Sequence, residues 1–448
     1  MKKQKPNNKI NILNIYSSKY KYIFYILFLF IGLINNLGYV LILTGSQQLT
    51  NKFKNENFVA LYLISLIIFS SFTRFINSKF CIKISHIKRL FGLAMYFFLG
   101  YILLFLILNN NNNDDNNKNK IFLTFIPAII MGTGTSFGES TMLGYIKNFP
   151  KDYLVGWGSG TGFAGFIGSF ISLICKLNDW ELKYLYLFIS PISIIYFILI
   201  IITKRIKDNL DNKFNNNSNN KLNLYDSKHS SINSNSSIEI KNNENNYLNN
   251  IDVSKNKNLT TINFLISFKQ GKRFIINLAL VYFFNIFIYA GIAERVSIMK
   301  YKFNINNNPN SKKNYFDYAL YEAFLFFYQI GVVVSRSSLP IVKKINFIEI
   351  FVIIQIINAI FWIIEYYTFF IKNENILFIH IFFVGIISGS SYILCFYKII
   401  KSEIIKPEYK ELCLNISTMF NDFAILFSSI IVLIFDNTFM KSNKWNIL

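Results

Sequence analysis

The chain has 448 residues, of which 52% are hydrophobic, 18% are aromatic and only 16% are charged. Its mean hydropathy is +0.34, whereas soluble domains are about one-quarter charged. This composition excludes an ordinary soluble domain and indicates a membrane protein. The formal net charge of +22 lies mostly in the N-terminal tail, the polar connections and one central segment. That distribution favours cytoplasmic flanks facing anionic lipid over a nucleic-acid surface.

Apolar runs long enough to cross a membrane recur along the whole chain. Crossing a hydrocarbon core of about 30 Å takes about 20 helical residues, and backbone groups in lipid must be paired internally. We therefore predict an all-α polytopic membrane protein with about eleven transmembrane helices. The predicted spans are 22–45, 57–76, 90–108, 121–144, 155–177, 183–203, 273–299, 315–339, 347–371, 375–400 and 412–435.

A polar segment divides these spans into two groups. Residues 204–272 are rich in Asn, Ser and Lys, so they bury too little apolar surface to offset ordering entropy, and we predict a disordered loop. It separates a six-helix half, 22–203, from a five-helix half, 273–435, with tails at 1–21 and 436–448. Two helical halves with a long connection are typical of secondary transporters, whose substrate site lies between the halves.

The positions of lysine and arginine indicate the orientation, since positively charged loops remain in the cytoplasm. The N-terminal tail and the central loop are both rich in Lys, so we place both in the cytoplasm, with the C-terminus on the other side. The loop after the second span is also basic. Lys300, Lys302, Lys312 and Lys313 fall on the opposite side, so the short loops support this topology only weakly.

Ionisable residues inside the spans are candidate functional groups, because a charge in hydrocarbon is costly. Glu139 lies in M-G-T-G-T-S-F-G-E-S-T, residues 131–141, where glycines accompany a run of hydroxyls. We expect this loosened helix to line a cavity. The other such residues are Glu294, Arg295, Glu322, Arg336, Glu365 and Asp422. For Arg295, Glu322 and Glu365, snorkelling or pairing between helices is the favoured interpretation.

Two more polar features stand out in the apolar helices. Asn35 and Asn36 are adjacent amides in the first span, and Asn36 shares a helix face with Tyr39. Such amides either bind a substrate or hold a neighbouring helix. Arg336 could bind a phosphate or carboxylate through its planar guanidinium, or act as an anchor near the cytoplasmic end of its span.

The stretch 155–168, V-G-W-G-S-G-T-G-F-A-G-F-I-G, contains the G-x-G-x-x-G pattern of a dinucleotide-binding turn. Such a turn requires a preceding strand, whereas these glycines lie within a predicted membrane helix, so we reject that interpretation. Gly158, Gly162, Gly165 and Gly168 instead predict close packing of the fifth helix on a neighbour, which we expect to be the fourth. The interleaved Trp157, Ser159 and Thr161 are candidates for a cavity wall.

The sequence offers no catalytic constellation. The three histidines, His86, His229 and His380, and the four cysteines, Cys81, Cys175, Cys395 and Cys413, show no spacing typical of a triad, a zinc site or a disulfide framework. We therefore expect a protein that is not an enzyme, with no cofactor, no metal and no nucleic-acid partner. The expected partners are the lipid bilayer and a small-molecule substrate, and the 204–272 loop could bind cytoplasmic proteins.

Several of these stretches together resemble the battenin family of lysosomal and vacuolar membrane proteins, which is associated with a childhood neuronal storage disease. The similar motifs are N-N-L-G-Y-V, G-E-S-T, W-G-S-G-T-G-F-A-G, Y-Q-I-G-V-V-V-S-R-S-S-L and the C-terminal G-S-S-Y followed by 415–422. They occur in order and span nearly all of the predicted membrane sequence. The resemblance lapses in the central loop and the connections.

The resemblance implies a major-facilitator-like transporter in a lysosome-type membrane, linked to export of glycerophosphodiesters and to vacuolar pH and basic amino acid handling. Two departures matter. Asn285 stands where the family tends to place an acidic residue, and R-F-I-N-S-K-F-C replaces the G-x-x-x-D-R signature of typical major facilitators. The residues that the resemblance assigns to the substrate site are Asn35, Asn36, Tyr39, Glu139, Trp157, Ser159, Thr161, Glu294, Tyr328, Gln329 and Arg336.

These observations lead to one leading hypothesis and two rivals. The leading hypothesis is an alternating-access exporter of small phosphate-bearing solutes from an acidic lumen, with Glu139 or Glu294 as a proton carrier because desolvation favours the neutral carboxyl. The first rival is a transporter of cationic amino acids that binds substrate charge through the same two glutamates. The second is a membrane scaffold that recruits trafficking partners through the 204–272 loop.

Overall fold

The computed structural model describes residues 20–53, 59–110, 117–146, 149, 153–226, 260–307 and 319–438. These residues form helices joined by short turns and bends, and no β-strand occurs among them. The predicted all-α membrane fold is therefore confirmed. The predicted N-terminal tail, apart from its last two residues, the middle of the central loop and the C-terminal tail from 439 lie outside the described residues.

The first half of the chain contains nine α-helices and one short 3₁₀-helix, Cys81–Lys83, among the described residues. Leucine, isoleucine and phenylalanine dominate them, so their side chains face either a packed core or lipid. The helices are α1 (Lys21–Thr44), α2 (Ser46–Lys52), α3 (Val59–Ile67), α4 (Ser70–Lys79), α5 (His86–Asn109), α6 (Asn117–Ile146), α7 (Tyr153–Leu177), α8 (Leu182–Ile189) and α9 (Ile192–Asp226).

The second half contains seven described α-helices and one stretch of π-helix. The π-helix, Phe287–Ile292, interrupts a long apolar helix, and such wide turns are frequent at functional sites. The α-helices are α10 (Thr261–Ile286), α11 (Ala293–Asn307), α12 (Leu320–Ser337), α13 (Leu339–Val342), α14 (Ile350–Thr368), α15 (Glu374–Lys401) and α16 (Pro407–Asn437).

Ten described helical segments are long and apolar enough to cross a membrane. Each coincides with one of the eleven predicted spans, including Thr261–Lys300, which joins α10, the π-helix and α11. The remaining predicted span, 315–339, corresponds to α12. This helix has 18 residues and is not among the ten, because Glu322, Gln329 and Arg336 lower its hydropathy. It is nevertheless packed between α7 and α15.

The central segment is more helical than predicted. Helix α9 continues to Asp226 and α10 begins at Thr261, so residues 204–226 and 261–272 are helical rather than disordered. Residues 227–259 lie outside the described part of the chain. At the first end the prediction was wrong because asparagine-rich sequence has low but sufficient helix propensity when it continues an existing helix, where nucleation is already complete. At the second end, residues 261–268 are largely apolar, and residues 261–272 extend the next span.

Consecutive spans run in opposite directions, so the loops fall at two ends of the bundle. We call the end at which α1 begins the proximal end, and the other the distal end. At the proximal end Tyr409 contacts Asn263, with 3.5 Å between the hydroxyl and amide oxygens. At the distal end the Lys52 Nζ lies 3.1 Å from the Leu108 carbonyl oxygen. Both contacts join the ends of different helices, which fixes this assignment.

Five pairs of helices bring the two halves together, among them α7 with α15. Helix α7 packs on α12, and α16 packs on α3, α4 and α6. Trp157 on α7 is among the largest fully buried side chains. Large apolar side chains on the outer faces, such as Leu99, Phe188 and Ile360, are more than half exposed. In water they would form a large apolar surface, so they mark the faces that contact lipid.

The glycine-rich part of α6 is a continuous helix. A Cβ built on Gly132 would overlap the backbone of Leu66 on α3, and one on Gly138 would overlap the Asn35 amide on α1. The expectation that these glycines loosen the helix was therefore wrong. They remove side-chain volume where three helices approach closely.

Candidate functional site

A buried arginine shared by two carboxylates lies where the two halves meet. The Arg74 Nε lies 2.6 Å from Asp422 Oδ2, and its Nη2 lies 2.7 Å from Glu139 Oε2. Its Nη1 donates to the Ser136 carbonyl oxygen at 3.1 Å. The Arg74 side chain is only 3% exposed. Helices α4 and α6 belong to the first half and α16 to the second, so the Arg74–Asp422 pair connects the two halves.

A second arginine reaches the same region from α12. The Arg336 Nη1 donates to Thr161 Oγ1 at 2.5 Å, and Nη2 donates to the Tyr282 hydroxyl at 2.9 Å. Its guanidinium carbon lies 4.0 Å from the centre of the Tyr392 ring, a cation–π contact. None of the ion pairs between described residues includes Arg336, and its Nε is buried without a hydrogen-bond partner among them.

Tyr392 on α15 joins the two arginines. The same side chain that stacks under Arg336 donates a short hydrogen bond from its hydroxyl to Glu139 Oε1. Glu139 therefore receives donors from both halves. We call the connected residues the proximal network: Arg74, Glu139, Thr161, Tyr282, Arg336, Tyr392 and Asp422.

Small hydroxyl groups extend the contact between the halves towards the proximal end. Ser337 donates to Ser159 Oγ at 3.1 Å, and Tyr25 donates to the same atom at 3.3 Å. Of the predicted cavity wall, Ser159 and Thr161 thus contact the second half. Trp157 is fully buried and packs on α1, where a Cβ on Gly32 would overlap its carbonyl oxygen.

Asn285 belongs to a second polar cluster, inside the second half. Its amide donates to the Tyr328 hydroxyl at 2.7 Å, and Tyr328 donates to Ser388 Oγ at 3.1 Å. Tyr328 also stacks on Tyr289, with 4.5 Å between ring centres. Asn285 is therefore a neutral donor inside the second half.

The amides of the first span, Asn35 and Asn36, bond to helix backbone and are not members of the proximal network. Asn35 is fully buried and donates to the Thr135 carbonyl oxygen at 3.1 Å, while Tyr196 donates to its side-chain oxygen at 3.3 Å. Asn36 donates to the Gly32 carbonyl of its own helix at 3.2 Å. Asn35 thus matches the helix-holding alternative left open by the sequence. Asn36 and Tyr39 are partly buried.

Three other candidates lie apart from the network. Glu294 follows the π-helix twelve residues after Tyr282, which places it about 18 Å along the helix towards the distal end. Glu365 pairs with Lys300 at 3.2 Å and accepts from the Ile371 amide at 3.1 Å, which matches the pairing interpretation. Glu322 is 1% exposed, and neither carboxyl oxygen has a hydrogen-bond partner among the described residues.

The glycines of α7 approach other helices than the predicted one. A Cβ on Gly160 would overlap the Leu29 carbonyl of α1, and one on Gly165 would overlap the Gln329 amide of α12. A Cβ on Gly162 would lie 3.2 Å from the Val333 Cα of α12. Gly158 faces α15 and Gly168 faces α1. The prediction that α7 packs closely on the fourth span was therefore wrong: the glycines serve contacts with the first, eighth and tenth spans.

A recess lies between the halves towards the distal end. It is small: its cavity volume is about 10 Å³, room for about one water molecule. The first half contributes Leu43, Ser46, Val59 and Leu63, and the second contributes Ala290, Tyr321, Ser429 and Val432. None of the predicted site residues lines this recess. The predicted polar residues instead lie at the closed proximal contact or inside one half.

The sequence did not single out four members of the proximal network as site residues. Arg74 was counted with the basic loop after the second span, and Tyr282 received no role. Asp422 was named only among the ionisable candidates, and Tyr392 only as the tyrosine of the G-S-S-Y motif. A signal for Arg74 exists: Ser70, Arg74, Asn77 and Ser78 recur at helical spacing and are all buried. In the described residues no group of histidine, cysteine or acidic side chains could hold a metal ion.

The chain matches known membrane proteins over most of its length. It is 29% identical to battenin of Dictyostelium discoideum over 93% of this chain and 95% of that protein, and 26% identical to protein BTN1 of Kluyveromyces lactis over 92% of each. The sequence pattern of the CLN3 protein family matches residues 26–442.

Solved structures with the same architecture are transporters of the major facilitator type. A D-xylose–proton symporter aligns with a TM-score of 0.54 at 13% identity, covering 94% of this chain and 92% of that one. A bacterial homologue of the human lysosomal transporter Spinster aligns with a TM-score of 0.51 at 10% identity, covering 96% and 86%. Family and fold together support a lysosomal or vacuolar membrane transporter rather than an enzyme. The chain belongs to the CLN3 protein family, the family of battenin and BTN1.

Proposed function

We propose that the protein exports small phosphate-bearing solutes, of the glycerophosphodiester class, from an acidic lysosomal or vacuolar lumen by alternating access of its two halves. The observation that carries this proposal is Arg336. Its guanidinium lies at the contact between the halves, bonded to two hydroxyls and a ring rather than to a carboxylate. A phosphodiester would supply the missing negative charge and accept both fork hydrogen bonds.

The charges of the described helix ends support a cytoplasmic proximal end. Basic side chains concentrate there, and positively charged loops remain in the cytoplasm. They include Lys79, Lys83, Lys88, Lys204, Arg205, Lys269, Lys343, Lys344, Lys401 and Lys406. In this orientation the small distal recess lies on the lumenal side, and the proximal network closes the path to the cytoplasm.

The contacts across the halves support a rocking motion. Arg74 with Asp422, Arg336 with Thr161, and Tyr392 with Glu139 each join one half to the other. Hydrogen bonds and ion pairs can exchange partners with a substrate or water at modest net cost. Breaking this set would open the proximal end, while the apolar contact keeps the distal end closed.

The structure favours the anion carrier over the cationic amino acid carrier. Glu139 already receives donors from Arg74 and Tyr392, so a cationic substrate would have to displace an internal arginine. Glu139 and Glu294 remain our candidates for proton coupling. The scaffold alternative concerns the central loop, whose deletion should leave flux intact in a transporter and remove partners from a scaffold.

Flux into and out of proteoliposomes tests the proposal. Purified protein should move glycerophosphoglycerol, whose only charge is its phosphodiester, and a pH gradient that is acidic on the distal side should increase the rate if protons are coupled. Purified protein that moves no glycerophosphodiester under either condition would refute the substrate class.

Two substitutions separate the rivals. Arg336→Ala should reduce binding of glycerophosphoglycerol by about tenfold or more, since a charged hydrogen-bonding partner is lost, while Glu139→Gln should leave that binding within a few fold. A cationic amino acid carrier predicts the reverse pattern with lysine as ligand. Measuring both ligands against both variants distinguishes the two classes.

A further inference from the structure

Tyr392 contacts two groups with different proposed roles, Arg336 in substrate binding and Glu139 in closure of the proximal end. Its ring lies under the Arg336 guanidinium at 4.0 Å, and its hydroxyl donates to Glu139. Arg336 is the proposed substrate contact. Glu139 shares Arg74 with Asp422, the ion pair that joins the halves. A single rigid ring therefore touches both the binding group and the contact that closes the proximal end.

We propose that Tyr392 is the positioning residue that couples occupancy of Arg336 to the closure of the proximal end. This inference rests on the proposed function, because it assigns a substrate role to Arg336. It adds how binding at that residue is transmitted to the Arg74–Asp422 pair on the opposite side of the ring.

The transmission follows from the geometry of the contacts. An anion that binds the guanidinium draws it away from the ring face, because a full negative charge attracts it more strongly than a ring quadrupole does. The ring then loses the contact that fixes its orientation and, with it, the hydroxyl that donates to Glu139. Glu139 then binds the Arg74 guanidinium more strongly, which weakens the Arg74–Asp422 pair between the halves.

The neighbours of Tyr392 fit this role. Its ring contacts Tyr282, with 6.4 Å between ring centres, and Phe396, with 4.5 Å. Tyr282 binds Arg336 as well but has no hydrogen bond to Glu139 in the described structure. Both tyrosines thus contact the guanidinium, but of the two only Tyr392 connects it to a carboxylate. Tyr282 is therefore a matched control.

The coupling can be tested without a substrate. Hydrogen–deuterium exchange of the full-length protein in detergent would report opening through the amides of α4 and the proximal half of α16, which pack on each other. Arg336→Gln should accelerate exchange there by about tenfold, since a hydrogen bond to a charged acceptor changes an equilibrium by that order.

The decisive comparison repeats Arg336→Gln in two backgrounds. In Tyr392→Phe, which removes only the hydroxyl, the acceleration caused by Arg336→Gln should fall below about twofold. In Tyr282→Phe it should persist. An equal response to Arg336→Gln in the Tyr392→Phe background, or no response in the wild-type background, overturns the coupling.

Two further measurements keep the inference separate from the proposed function. If Tyr392→Phe does not fold, Glu139→Gln removes the charge from the acceptor at the other end of the same hydrogen bond and should abolish the response equally. Binding of glycerophosphoglycerol then tests the substrate class alone. If the variants show the expected exchange pattern but the wild-type protein binds no glycerophosphoglycerol, the coupling stands and the proposed substrate class is wrong. If the protein binds this ligand but the variants do not show the pattern, the substrate class stands and the coupling is wrong.

Discussion

The two ends of the bundle close the space between the halves with different chemistry. At the proximal end the halves meet through arginines, carboxylates and hydroxyls, with Arg74 and Asp422 2.6 Å apart. Towards the distal end they meet through apolar side chains: Phe326 of α12 packs on Phe166 and Phe170 of α7, with ring centres 5.4 and 5.6 Å apart. The buried ion pair at the distal end, Lys300 with Glu365, lies within the second half.

This difference indicates which end is specific and which is adaptable. Polar contacts are directional, so they define one closed arrangement and dissociate together when one partner is replaced. Apolar faces can slide and separate with little preference for one geometry. The proximal end therefore has the properties of a gate that responds to a bound solute, whereas the apolar distal contact has those of a surface that can separate during alternating access.

We expect the largest effect from a substitution that breaks the proximal contact at Arg74. Arg74→Ala leaves Asp422 and Glu139 buried without their shared cation, which should reduce stability by about 3–5 kcal/mol. The matched control is Arg273→Ala, which removes an arginine from an exposed pair with Glu349 at 2.7 Å and should cost less than about 1 kcal/mol. Thermal unfolding of the purified variants measures both. Equal losses would show that burial of the Arg74 pair contributes nothing.

A smaller effect distinguishes contacts within a half from contacts between halves. Gly132→Ala places a methyl against the Leu66 backbone inside the first half, which should lower stability by about 1–3 kcal/mol because backbone cannot move aside cheaply. Gly162→Ala places it 3.2 Å from Val333 across the halves. There the halves can separate slightly, so we expect faster exchange of α4 and α16 amides with little loss of stability. The reverse pattern would contradict the rigid-half description.

Composition and the length of the apolar runs were sufficient to predict the fold, because each helix in lipid must pair its own backbone polar groups. Every described span lies where an apolar run predicted it. Packing partners were not predictable in the same way: Gly165 fits any close neighbour, and only the tertiary structure shows that the neighbour is Gln329 of α12 rather than a residue of the fourth span.

The site was predictable only where a polar residue interrupts an apolar run. Glu139 and Arg336 met that condition, and both belong to the proximal network. Arg74 lies close to the end of its apolar run, where a basic residue normally faces the aqueous phase, and its partner Asp422 is 348 positions away. Tyr392 is the tyrosine of the G-S-S-Y motif, but tyrosine is common in this chain, which has 27 of them, and the motif alone did not indicate which groups this one contacts.

Equilibrium binding of glycerophosphoglycerol tests the central claim most directly, because that claim rests on one arginine at the contact between the halves. Wild-type protein and Arg273→Gln should bind the ligand alike, and Arg336→Gln should bind it about tenfold or more weakly. Equal binding by Arg336→Gln and the wild type would contradict the assignment of the anion site to Arg336.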